Sequence, residues 1–370
     1  MMLQFEALCL NSIKLMRVYF ILFIFSVFVI PVFGQTDSLV NAYHNAVVPE
    51  DRGKLAYAIA SAIPDSKPEL YVAYAREGYA AVSGLQVPVK VKLANVIGYY
   101  YQQRGAYDSA GYYFRLALAT AKELHSAKLT TMMLSNLGET FSLKGEYRQA
   151  LKYQLNALTN YEQDKDEANV QRMDIMIGNT YYNMHEYRRA LAYNNKVYPA
   201  LKDANTRRAG GVLNSLGLIY GELGDRQKEN EFLNRSLVVK RATGDSLGVA
   251  KTLSNLGKAA IARGDRAEAA RCFTEATQIA TLIGAKEFED EVAQNLAYLQ
   301  AQSGNTNAAI QQYKKSLEVA RASGDLRIQR LTLESLFSLY DSLHDYASAN
   351  RYMAEYERLA DTVRSSTYQH

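Results

Sequence analysis

The chain has 370 residues, with 42 Lys and Arg against 38 Asp and Glu and a net charge of +4. So small an excess, with no basic run longer than two residues, excludes the dense positive face of a nucleic-acid binder. Hydrophobic residues make up 48% of a chain that holds 28 Tyr, six Pro and no Trp, enough to bury a continuous core and biased toward helix packing.

The first element is an address. Residues 18–33 read VYFILFIFSVFVIPVF without a charge, Lys14 and Arg17 precede them, and Val32, Phe33 and Gly34 suit a cut before Gln35. That is the order of a secretory signal peptide. Sixteen residues fall short of the roughly 20 that span a bilayer comfortably, so residues 1–34 are expected to be cleaved; a retained anchor over 18–33 is the alternative. The fifteen residues before Met16 look superfluous, which leaves Met16 as a second candidate start. Cleavage removes Cys9 and leaves Cys272 without an internal disulfide partner. Residues 35–90 are expected to form a helical cap with one degenerate helical pair, in which Pro68 suits the first turn of the second helix.

From residue 91 to 360 the chain repeats. An aliphatic residue followed by a small one recurs at Gly98, Gly138, Gly178, Gly217, Gly257 and Ala297, with Phe337 an imperfect seventh, at spacings of 39 or 40. Three residues later come Tyr101, Phe141, Tyr181, Tyr220 and Tyr340, and seven later Gly105, Gly145, Gly224, Gly264 and Gly304, with His185 and His344 in the same column. Twelve later come Ala110, Ala150, Ala190, Ala269, Ala309 and Ala349, with Glu229 the exception. A small residue and an aromatic three apart share one helix face, so a neighbouring helix can approach there. The glycine column ends that helix in the left-handed conformation, and the alanine column begins the buried stripe of a second. Seven helix–turn–helix units follow, none able to bury its stripe alone, with a short tail over 361–370.

The stretch IGYYYQQRGAYDSAGYYFRLA, Ile97 to Ala117, resembles the tetratricopeptide repeat, and the 40-residue period resembles its long-helix variety. The resemblance implies an all-α, right-handed solenoid of stacked hairpins that binds a protein or peptide on a concave face lined by the first helices. Carried over by position, that face takes Asn95, Asn214 and Gln294 from three residues before the small column. From one residue after it come Tyr99, Glu139, Asn179, Lys258 and Tyr298. Side-chain amides there can both donate to and accept from the backbone of an extended peptide; the competing reading is that they bond across to the adjacent helix.

No other chemistry stands out. Gly244-Asp245-Ser246-Leu247-Gly248 matches the G-x-S-x-G nucleophile elbow, but that elbow needs a strand before it, and here it joins two helical units. A hydrolase using Ser246 is therefore the least favoured reading. The five His lack metal-ligand spacing, and neither a cofactor nor a metal is expected. The expected function is a non-catalytic exported scaffold. The alternative is the input module of a bacterial signal-transduction protein, since the repeats resemble extracytoplasmic regions of such proteins. The membrane is a partner only if residues 18–33 are kept.

Overall fold

The positions able to take positive φ set the hairpins. The computed structural model describes residues 38–64, 67–324 and 326–368, and every regular element among them is an α-helix. The signal segment, Met16 and the cut near Gly34 lie outside the described residues. Helix α1 (residues 38–45) precedes a hairpin of α2 (Pro49–Ala62) and α3 (Pro68–Ala81), each opened by a proline in its first turn.

Seven hairpins follow: α4 (Pro88–Gln103) with α5 (Tyr107–Glu123), α6 (Ala127–Lys144) with α7 (Tyr147–Gln163), α8 (Glu167–Asn183) with α9 (Tyr187–Leu201), α10 (Arg207–Glu222) with α11 (Arg226–Ala242), α12 (Ser246–Ala262) with α13 (Arg266–Leu282), α14 (Lys286–Gln302) with α15 (Thr306–Ser323), and α16 (Leu326–Ser342) with α17 (Tyr346–Tyr368). α17 runs on to Tyr368, so most of the segment read as a tail is helical; from Tyr346 onward no Gly or Pro is present to stop it. The chain divides into two compact units, residues 1–180 and 181–370.

At the hairpin turns Gly105, Gly145, Gly224, Gly264 and Gly304 have φ between 71° and 86°. His185 (φ 60°) and His344 (φ 59°) take the same turn despite a Cβ, a conformation that costs an L residue about 1–2 kcal/mol. Each offsets it locally: Nδ1 of His185 lies 2.7 Å from the Tyr187 hydroxyl, and Nδ1 of His344 lies 3.1 Å from that of Tyr346.

Within a hairpin the small column meets the residue sixteen positions on. A Cβ on Gly98 would stand 2.6 Å from Phe114 Cε1, one on Gly257 2.5 Å from Phe273 Cε1, one on Gly217 2.7 Å from Leu233 Cγ, and one on Gly138 2.6 Å from Gln154 Cγ. Gly178 is buried on α8, and Ala297 is buried on α14. Ala110, Ala150, Ala190, Ala269, Ala309 and Ala349 are all at most 1% exposed, which brings the second helix against the first. Glu229, in the same column, is also buried; Gly221 leaves it room, since a Cβ there would lie 2.4 Å from its Oε1, and Arg226 Nη1 pairs with its Oε2 at 2.9 Å.

A second aromatic column, fifteen residues after the small one, completes five of the seven hairpins. Tyr101 stacks on Tyr113, Phe141 on Tyr153, Tyr181 on Tyr193, Tyr220 on Phe232 and Tyr340 on Tyr352, with ring centroids 5.4–5.7 Å apart. In the α12–α13 hairpin the pair is Ala260 and Cys272, both buried. Burial pushes the Cys272 thiol up, which keeps it protonated and unreactive.

Candidate partner-binding face

First helices lie side by side within each unit, and their side chains divide into two sets. One set is consumed between helices. Asn136 Nδ2 donates to Asn95 Oδ1 at 2.6 Å, Asn255 Nδ2 to Asn214 Oδ1 at 3.1 Å, and Asn295 Nδ2 to Ser254 Oγ at 3.3 Å. Each bond runs from two residues before the small column to three residues before it in the preceding repeat, a separation of 41 residues in every case. Gln294 Nε2 reaches forward instead, to Thr332 Oγ1 at 3.0 Å. The amides of Asn95, Asn214 and Gln294 are half-buried rungs joining neighbouring first helices. Their spacing put them on the right helices but could not show which neighbour they oppose.

The second set stays in water. Tyr99, Asn179, Lys258 and Tyr298, one residue after the small column, are exposed, and Glu139 is half-exposed. Lys258 Nζ lies 3.5 Å from Glu291 Oε1 on α14, a solvated pair of little energetic weight. The two tyrosines each open on a cleft. In the first unit, Tyr99 lines one of about 260 Å³ with Pro68, Tyr71, Tyr100, Gln103 and Arg104. Its wall is fixed by Glu69, which accepts from Tyr100 Oη at 2.7 Å and pairs with Arg104. In the second unit, Tyr298 lines one of about 350 Å³ with Tyr313 and a row on α16 that includes Glu334, Ser338 and Ser342.

Elsewhere in the second unit burial also perturbs Tyr182 and Lys240. Tyr182 is pushed up to about 12, first by desolvation and then by the Glu222 carboxylate and by Tyr187 and Glu229. Lys240, 6% exposed, donates from Nζ to Thr252 Oγ1 at 2.9 Å, and Thr252 Oγ1 donates to Asn214 Oδ1 at 3.2 Å. Lys240 carries one signal in the sequence, its place in a column whose later members are Ala280 and Ala320.

Ser246 is the first residue of α12 and exposed. Asp245 before it is the N-cap, its Oδ1 accepting from Gly248 N at 3.0 Å, and a Cβ on Gly248 would lie 2.0 Å from Asp245 Oδ2. The G-x-S-x-G pattern thus serves a helix start: one glycine turns the chain and the other makes room for the capping carboxylate. Among the described residues no group of three or more His, Cys, Asp or Glu is placed to hold a metal, and no helix is long and apolar enough to cross a membrane.

A tetratricopeptide-repeat model matches residues 290–323, which fall within the α14–α15 hairpin. The α14–α15 hairpin is thus a tetratricopeptide repeat, and the other hairpins share its tetratricopeptide-like fold. No curated protein matches the chain in sequence. Among solved structures, the apo form of the quorum sensor NprR from B. thuringiensis is 14% identical with a TM-score of 0.67, covering 89% of this chain and 99% of its own. Aspartyl phosphate phosphatase F from Bacillus subtilis is 12% identical with a TM-score of 0.61, covering 79% and 74%. A Rap protein complexed with competence and sporulation factor is 13% identical with a TM-score of 0.56, covering 90% and 99%. At such identities the likeness is one of fold: a tetratricopeptide-repeat array of this length and helix order.

Proposed function

We propose that this chain is a non-catalytic scaffold, exported after cleavage near Gly34, that holds an extended protein or peptide segment against its first helices. The observation that carries the reading is the pair Tyr99 and Tyr298. They are 47% and 46% exposed and each lies beside a cleft, whereas Tyr101, two residues on in α4, is stacked inside its hairpin. A half-exposed tyrosine offers a large rigid contact at low entropic cost and a hydroxyl for a backbone group. The solved Rap complex and the quorum sensor share the fold and support a scaffold of this kind.

The test uses the full chain and a displayed library of random dodecapeptides. Wild type is expected to enrich a defined set, and Tyr99→Ser with Tyr298→Ser together to lose it while the far-ultraviolet circular dichroism stays unchanged. Equal enrichment by the double variant removes the first-helix face from consideration. Export is read separately: a fractionation blot should show a species shorter than the whole chain outside the cytoplasm, with Gln35 at its amino terminus. A larger membrane-bound species would favour the second reading, a sensor input module, which the likeness to the quorum sensor supports.

A further inference from the structure

We infer that the cleft beside Tyr298 is a subsite for a basic side chain, so that the segment bound by the second unit carries an arginine or lysine at a fixed position. This rests on the scaffold reading above and specifies one of its contacts.

The cleft lies among α14, α15 and α16. Its floor is Tyr313, 3% exposed; burial pushes that phenol up, with a hydrogen bond to Ser335 opposing, so the floor is neutral at physiological pH. Its wall is Tyr298, with the ring face partly in water. The opposite side is α16, where Glu334, Ser338 and Ser342 recur every four residues and therefore form one row along the helix.

Glu334 decides the chemistry. Three residues before the small column the other repeats carry Asn95, Ser135, Ile175, Asn214, Ser254 and Gln294, none of them charged. Asn95, Ser135, Asn214, Ser254 and Gln294 are all engaged with a neighbouring first helix. Glu334 is exposed and makes no ion pair or hydrogen bond with a described residue. A carboxylate without a cation, an aromatic face and two hydroxyls around one cleft complement a group that is cationic, planar or compact, and rich in donors. A guanidinium satisfies all of these: it pairs with the carboxylate, stacks on the ring and donates to Ser338 and Ser342. An ammonium meets the first two less completely. An acidic or apolar side chain would leave Glu334 repelled or stranded.

The dodecapeptide selection, repeated with Glu334→Gln, tests this. Peptides enriched by wild type should share an Arg or Lys. Replacing that residue by citrulline, or Glu334 by Gln, should each weaken binding about tenfold, and doing both should weaken it no further. Tyr298→Phe should retain most of the affinity and Tyr298→Leu should not. An N-acetylated peptide binding as well as the free one identifies the side chain, rather than the terminal amine, as the bound cation. Enriched peptides without a shared basic residue, or with affinity indifferent to Glu334→Gln, overturn the subsite while leaving the scaffold standing. No enrichment by wild type overturns both.

Discussion

Lys240 offers a sharp energetic test of the array. Its ammonium is buried between α10, α11 and α12, has no carboxylate within ion-pair distance among the described residues, and donates to a single neutral hydroxyl. Lys240→Met keeps the aliphatic stem that lies against Gly210, where a Cβ would stand 2.8 Å from Lys240 Cγ, and removes the charge. The loss is one hydrogen bond, about 1 kcal/mol. Thr252 keeps its bond to Asn214, so no hydroxyl is stranded. The gain is the dehydration cost of a buried ion, several kcal/mol before compensation, and replacing buried charge by an apolar isostere stabilises by about 1–4 kcal/mol where it has been done. We expect a net stabilisation of about 1–3 kcal/mol at neutral pH.

The pH dependence has a definite sign. Burial holds the Lys240 amine below the usual lysine range, with Lys251 reinforcing and Asp245 opposing. Between that lowered value and 10.5 the unfolded chain binds more protons than the folded one, so wild-type stability gains from this group as pH rises through the window. Lys240→Met should lose that gain. Repeat arrays open locally, so the assay is hydrogen exchange of α10, α11 and α12 at several pH values, supported by urea denaturation of the full chain. Destabilisation of about 1 kcal/mol or more, or an unchanged pH slope, would refute the reasoning, because either means the ammonium is well compensated where it sits.

Three further outcomes follow from the packing. Asn95→Ala and Asn136→Ala should each destabilise the first unit, and the double variant should cost less than their sum by about 0.5–1.5 kcal/mol; strict additivity in a denaturation cycle means the 2.6 Å rung contributes nothing. Gly111→Ala should stabilise by about 0.5–1 kcal/mol, since only Arg115 Nη1 comes near the added methyl, at 3.4 Å. Gly257→Ala should destabilise by about 1–3 kcal/mol against the buried Phe273 ring and recover in part with Phe273→Leu; thermal melts giving both glycine variants the same sign would sink the distinction.

The fold was legible because it is a sum of local statements repeated at a fixed interval. A small residue, an aromatic three later and a turn residue seven later specify one hairpin, and recurrence specifies the stack. The face was legible only in part. Asn95 and Tyr99 are both plausible groove residues by position, yet one turn of helix separates a rung from a side chain in water. Which of them faces the next helix depends on the 41-residue register between neighbours, a tertiary quantity. The stacked partners Tyr113, Tyr153, Tyr193, Phe232 and Tyr352 recur at the repeat spacing too, but the residues next to them, among them Phe114 and Leu233, pack against the small column, and spacing alone does not tell the two faces apart. Glu229 in an alanine column reads as a fault until Gly221 is seen to yield the space, a compensation across the hairpin turn that a single column cannot display.

The amide rungs bear on how such a chain can change its length. The three rungs donated by Asn136, Asn255 and Asn295 share one polarity, with a repeat donating to the one before it, so the repeat that holds Ser254 and Asn255 carries both halves of the joint. Excising residues 246–285 would bring Asn295 to the same 41-residue separation from Asn214 that Asn255 now has, presenting an identical donor to an identical acceptor. Unequal recombination between such repeats would therefore yield shorter or longer arrays whose new junction is already compatible.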